Sequence, residues 1–209
     1  SALGINGAQL QSWNNWNNAW KQQLGQLKFN LIILAYGTNE AYNRYDLEQE
    51  RQILLGRIHD IREASPQSAI LIVSAPESLK DKSGECGTRP AQLTQFQTMQ
   101  REVATQAHTL FWDWQAAMGG SCSMKKWMER GDAARDGVHF SASGYTKLGD
   151  MLGNDILALA GQSAPTTTRS SAVAALPKSG LSVKNNTVSS LGYASICDVE
   201  DQNSCKTIQ

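Results

Sequence analysis

The chain has no excess of either charge. Its 19 Lys and Arg are balanced by 19 Asp and Glu over 209 residues, so it offers no clustered cationic surface to nucleic acid or to an anionic membrane. It also lacks a long apolar run. The longest, around FNLIILAY, is far short of the ~20 residues a membrane-spanning helix needs. Histidine is scarce, with three residues set far apart, and none of the four cysteines lies in a CxxC pair. The spacing of a structural zinc site is therefore absent, and the sequence calls for no metal or organic cofactor. No G-x-S-x-G nucleophile elbow occurs anywhere.

The cysteines are Cys86, Cys122, Cys197 and Cys205. An even count, with one local pair (Cys197 and Cys205) and one remote pair, fits two disulfides and a periplasmic or secreted protein. Four unpaired cytosolic thiols are the alternative. The acidic run DVEDQNS between the last two cysteines lacks the Gly and Glu spacing of a calcium loop and reads as a solvated turn.

What is present is an alternation of helices and strands. Leu10, Trp13, Trp16, Trp20, Leu24 and Leu27 recur at helical spacing, with four Asn between them. This predicts an amphipathic helix packed on a sheet, a sugar-stacking Trp face being the alternative. KFNLIILAYG reads as a strand buried on both faces. Asp46 caps a helix carrying Leu47, Leu54, Ile58 and Ile61, and AILIVSAP is a second buried strand. Residues 77–90 read as a loop. A helix bearing Leu93, Phe96, Gln100, Val103 and Ala107 follows, then the strand TLFWDW and a short helix around MKKWMER. Tyr145, Leu148, Leu152, Ile156 and Leu159 mark a last helix. The pattern predicts an α/β fold of three layers, a parallel sheet with helices on both faces, over residues 1–160. Residues 161–209 are small, polar and aperiodic, and read as a linker and a poorly specified, disulfide-containing tail.

In such a sheet, reactive groups collect in the loops after the strands. Three loops stand out: GINGA, YGTNEA and RDGVHFSASGY. In the last, Asp136 and His139 are three residues apart around Gly137, so the carboxylate can meet one imidazole nitrogen and set its tautomer. A surface turn with incidental charges is the plain alternative. Asn39 sits where its amide can donate to a developing oxyanion, and Gly7 can offer a backbone N–H to the same atom. Capping of a turn is the alternative for Asn39. His59, among charged neighbours on a helix, reads as solvated. His108, at a helix end, reads as structural.

Together these loops resemble the SGNH (GDSL-type) hydrolases. GINGA matches that family's Gly block, GTNE its Asn block with Glu40 in place of the usual Asp, and DGVH its last block. FSASGY resembles the family's entry to its final helix. The combination looks like the peptidoglycan O-acetylesterase branch. The resemblance implies a flavodoxin-like SGNH hydrolase fold and a serine esterase acting on a carbohydrate ester through an acyl-enzyme. It implies His139 as base, Asp136 as its orienting partner, and Gly7 with Asn39 as the oxyanion hole, Gly4 being a poorer candidate than Gly7. Glu40 touches no catalytic position in this reading.

The family's G-D-S block has no counterpart here. Ser74, at the end of a strand, is the best-placed remaining hydroxyl and Ser121 has a similar status, but neither matches the Ser block and Ser74 reads better as capping a turn. The expectation is therefore a C-terminal part of a hydrolase. Its first strand and catalytic Ser, and any inserted module, would lie on a segment before Ser1, and this chain alone would be inactive. A catalytically inactive glycan-binding relative, and an esterase of lipids or small esters, are the competing readings.

Overall fold

The structure, a computed structural model, describes residues 7–17 and 19–161 together with the backbone of Val173–Ala174. The expected strand over Ser1–Ile5, Gly4, and the Cys197–Cys205 pair lie outside the described residues.

The expected single helix over Leu10–Leu27 is two pieces. A 3-10 helix spans Leu10–Asn15, and α1 spans Ala19–Leu27. Trp16 between them is extended, and the Asn17 side chain accepts from the Ala19 N–H at 3.0 Å. Asparagine side chains compete for backbone partners in this way, which is why an Asn-rich segment breaks a periodic helix. The Trp stripe is a packing face. Trp13 is buried, it stacks on Trp16 with ring centroids 5.0 Å apart, and Trp16 and Trp20 lie against the core.

The apolar runs form strands where expected. Strands β1 (Leu31–Ala35), β2 (Ala69–Val73) and β3 (Leu110–Trp112) are parallel, in the order β1-β2-β3. Four helices lie between or beside them: α2 (Thr38–Ala41), α3 (Leu47–Ala64), α4 (Leu93–Gln106) and α5 (Trp114–Met118). Helix α6 (Ser123–Glu129) and helix α7 (Ala142–Leu159) complete the domain. Inside the stretch read as a linker, β4 (Val173–Ala174) pairs antiparallel with β3. Two residues of strand carry no periodicity that a sequence could display.

Alternation along the strands divides the interior into two cores. Ile70, Ile72 and Phe111 face Leu54, Ile58 and Ile61 of α3 and Phe96, Met99 and Val103 of α4. Leu71, Val73 and Trp112 face Trp114 of α5, Met124 and Trp127 of α6, and Leu148 and Leu152 of α7. Helices therefore cover both faces of the parallel sheet, as the sequence predicts.

Helix α7 starts against the loop before it. A Cβ built on Gly144 would lie 1.8 Å from the Asp132 carbonyl oxygen, which itself accepts from the Ser141 N–H at 3.0 Å. Glycine alone permits this approach. Gly144→Ala should destabilise the fold by about 3 kcal/mol or more, the upper end for overpacking, measurable by urea denaturation.

Candidate active site

The three parallel strands end level: Ala35 pairs with Val73, and Val73 with Trp112. The loops after them leave from one rim. Gln100 of α4 ties two of those exits together, donating to the Tyr36 carbonyl at 2.8 Å and accepting from the Ala75 N–H at 2.9 Å. It lies within the apolar stripe of its helix, and a polar residue there is a readable sign of a buried hydrogen-bonding task.

The loop before α7 is a turn organised by Asp136. One carboxylate oxygen accepts from the N–H of Val138 at 2.7 Å and of His139 at 3.0 Å. The other lies 2.7 Å from His139 Nδ1. Gly137 sits at φ 78° inside the turn, where an L side chain is strained, and so lets the chain fold back. Partial burial raises the Asp136 pKa, but the bonds from the His139 ring and the two N–H groups outweigh it and hold the carboxyl below its ordinary value. An ionised Asp136 fixes the Nδ1–H tautomer, which makes Nε2 the proton acceptor of the ring. The sequence-derived pair is thus brought together.

Asn39 reaches the residue next to Gly7. Helix α2 begins directly after Gly37, so GTNE is a short helix rather than a plain loop. Asn39 Nδ2 donates to the Ala8 carbonyl at 3.1 Å, beside Gly7. An amide nitrogen carries two hydrogens, so the second can serve an oxyanion. The two pairs communicate through one loop. The Leu79 N–H donates to the Gly137 carbonyl at 2.8 Å, and Tyr42, following α2, donates to the Leu79 carbonyl at 3.0 Å. Burial raises the Tyr42 pKa, the bond to Ser78 lowers it, and the nearby Asp136 carboxylate raises it further. The loop of residues 77–90 is tied down by the expected Cys86–Cys122 disulfide.

The matching family model, the GDSL-like lipase/acylhydrolase family, covers residues 1–147. The chain belongs to this family. One solved structure similar to it is described as a peptidoglycan O-acetylesterase in action. It is 51% identical with a TM-score of 0.74, and the match covers 76% of this chain and 46% of that one. The chain thus spans less than half of that protein. A GDSL-like lipase from Parabacteroides merdae is 18% identical over 70% of this chain and 67% of its own, with a TM-score of 0.55. An acetylxylan esterase from Geobacillus stearothermophilus is 18% identical over 69% of this chain and 66% of its own, with a TM-score of 0.51. These last two share the fold. No curated protein matches the chain.

The remaining sequence candidates have other occupations. Ser74 is buried, and its oxygen accepts from the Trp114 N–H at 3.0 Å. Ser121 is exposed. His59 is exposed and paired with Glu63 at 3.3 Å, and His108 lies in the turn after α4, with Arg62 donating to its carbonyl. Among the described residues no cluster of His, Cys, Asp and Glu could hold a metal ion.

Sequence reasoning passed over Glu40. It is buried, and its two oxygens accept from the Leu10 N–H at 2.8 Å and the Gly37 N–H at 3.0 Å. Burial, assisted by the Glu50 charge and opposed by these bonds, pushes its pKa up to about 7. The departure from the family's usual Asp was the available signal.

Two expectations follow. With Glu40 at about 7 when folded and 4.5 as its ordinary value, the folded state holds a proton between these values that the unfolded state releases. Stability should therefore fall as pH rises from about 4.5 to about 7. Glu50 and Glu77, also raised by burial, act in the same direction. A series of thermal melts against pH should show this slope, flattened in Glu40→Gln. Separately, replacing Cys86 and Cys122 by Ser should cost about 2–4 kcal/mol in denaturant unfolding, as expected for a closed loop of this length.

Proposed function

We propose that the protein bearing this chain is a serine esterase that removes acetyl groups from O-acetylated peptidoglycan through an acyl-enzyme. The contact that carries the reading is the 2.7 Å pairing of His139 Nδ1 with Asp136. The likeness to a peptidoglycan O-acetylesterase at 51% identity supports the substrate class.

In this mechanism a seryl Oγ attacks the acetyl carbonyl while His139 Nε2 takes its proton. Asp136 stabilises the resulting imidazolium without itself being protonated. Negative charge grows on the carbonyl oxygen, where the Gly7 N–H and the Asn39 amide stabilise it. Collapse breaks the C–O bond to the sugar, and His139 returns the proton to the departing sugar oxygen. Water, deprotonated by the same imidazole, then attacks the acetyl-enzyme and releases acetate and the free Ser.

The nucleophile in this reading is a Ser outside the 209 residues. No G-D-S block is present, Ser74 is buried and engaged, and β1 is an edge strand among the described residues although it reads as apolar on both faces. The Cys86–Cys122 disulfide supports a periplasmic or secreted location. A chain without the Ser should be inactive, because triad members act as a unit.

The test is acetate release by the full-length protein from O-acetylated peptidoglycan and from an aryl acetate. His139→Ala should reduce both to background, and Asn39→Ala should lower kcat by about 10²–10³-fold, the cost of one oxyanion donor. Retained activity in His139→Ala overturns the assignment. Hydrolysis of the aryl acetate alone overturns the substrate class in favour of small esters.

A further inference from the structure

We propose that Glu40 is a positioning residue for the oxyanion hole, its two carboxylate oxygens clamping the Gly7 loop and the Asn39 loop into one geometry. The inference rests on the function proposed above and adds to it a residue that the chemistry of the triad does not require.

Two loops distant in sequence must present their donors to a single oxygen atom. An oxyanion donor is effective only within a few tenths of an ångström of its ideal distance, since its contribution is electrostatic and falls off with separation. Gly7 lies just ahead of the 3-10 helix that starts at Leu10, and Asn39 lies two residues after Gly37. Glu40 Oε1 accepts from Leu10 N–H at 2.8 Å and Oε2 from Gly37 N–H at 3.0 Å. One side chain therefore grips both loops from beneath. On the other side, Asn39 closes the arrangement by donating to the Ala8 carbonyl at 3.1 Å. Glu40 itself is only 1% exposed.

Neither bond is replaceable by solvent. Removing the carboxylate would strand two buried N–H groups, each without a partner at the point where it enters the site. A second carboxylate steadies the same segment: buried Glu50 of α3 accepts from the Gln11 side chain at 2.6 Å. The charged and titratable groups facing Glu40 are Glu50 and, at the end of β1, Tyr36. Neither is a cation, so no ion pair explains the presence of a carboxylate here. Its two bonded N–H groups do.

Glutamine discriminates between a clamp and a filler. Glu40→Gln keeps shape and volume, but its amide can accept only one of the two N–H groups and presents an N–H of its own to the other. The full-length protein would be assayed on an aryl acetate above the pH at which Glu40 ionises. The readouts are kcat, KM, inhibition by a boronic acid whose tetrahedral adduct loads the same donors, and the melting temperature. Expected for Glu40→Gln is a kcat lower by about 10–100-fold, KM within about two-fold, and boronic-acid affinity reduced in step with kcat. Glu40→Asp, which keeps the charge on a shorter stem, should fall between Gln and wild type.

A kcat within about two-fold of wild type accompanied by a lower melting temperature overturns the proposal, as does a change confined to KM. If Glu40→Gln does not fold, Glu40→Asp decides: a kcat loss of about three-fold or more at unchanged KM upholds the clamp, and wild-type kcat overturns it. A wild type without esterase activity, or an Asn39→Ala variant as active as wild type, sinks the functional reading itself. Active wild type, impaired Asn39→Ala and unimpaired Glu40→Gln sink only the role of Glu40.

Discussion

Three parallel strands that stop at the same level are the constraint on which the site depends. Parallel pairing fixes Ala35, Val73 and Trp112 in one row, so the segments leaving them share one rim of the sheet. Evenly spaced parallel ladders tolerate no slip of one residue, because a slip would turn every side chain to the opposite face. Ile70 and Ile72 on one side, and Leu71 and Val73 on the other, are committed to two separate cores. The placement of the loops at this rim is thus inherited from hydrophobic burial. Gln100 then converts proximity into rigidity by bonding to the exits of both β1 and β2.

Beneath that rim lies a set of buried acids, each holding a loop. Glu40 holds Leu10 and Gly37, Glu50 holds Gln11, and Glu77 lies 3.1 Å from Arg89 and accepts from Gln115. Burial raises the pKa of all three, which means that the fold bears an electrostatic cost at each. Apolar residues in their place would leave the loop N–H groups and amides unsatisfied.

The sequence displays what periodicity and turn chemistry can encode. Helices with long apolar stripes, strands with continuous apolar runs and the Asp136–His139 turn were all legible, because each depends on residues close in the chain. The broken helix after Leu10 was not, since only the contest between Asn side chains and the backbone ended it. Strand β4 was not, because two residues form no pattern. Asn39 was legible as a polar side chain at a strand exit, while its bond to the Ala8 carbonyl was not. The contacts of Glu40 were hidden, as its partner Leu10 lies thirty residues away; only its departure from the family's usual Asp marked the position. Pairing of Cys86 with Cys122 was open to arithmetic, while the loop contact of Leu79 with Gly137 needed coordinates.

The disulfide has one more consequence. Its cysteines are 36 positions apart and enclose α4, β3 and α5. The chain there is a covalent ring, through which strand β3 and the helix on each face are joined. A protease cutting anywhere between residues 87 and 121 opens the ring but frees no fragment, so the nicked molecule retains both ends of the crossover. Damage of that kind leaves the two halves covalently joined, and reassembly becomes an intramolecular event rather than a second-order encounter.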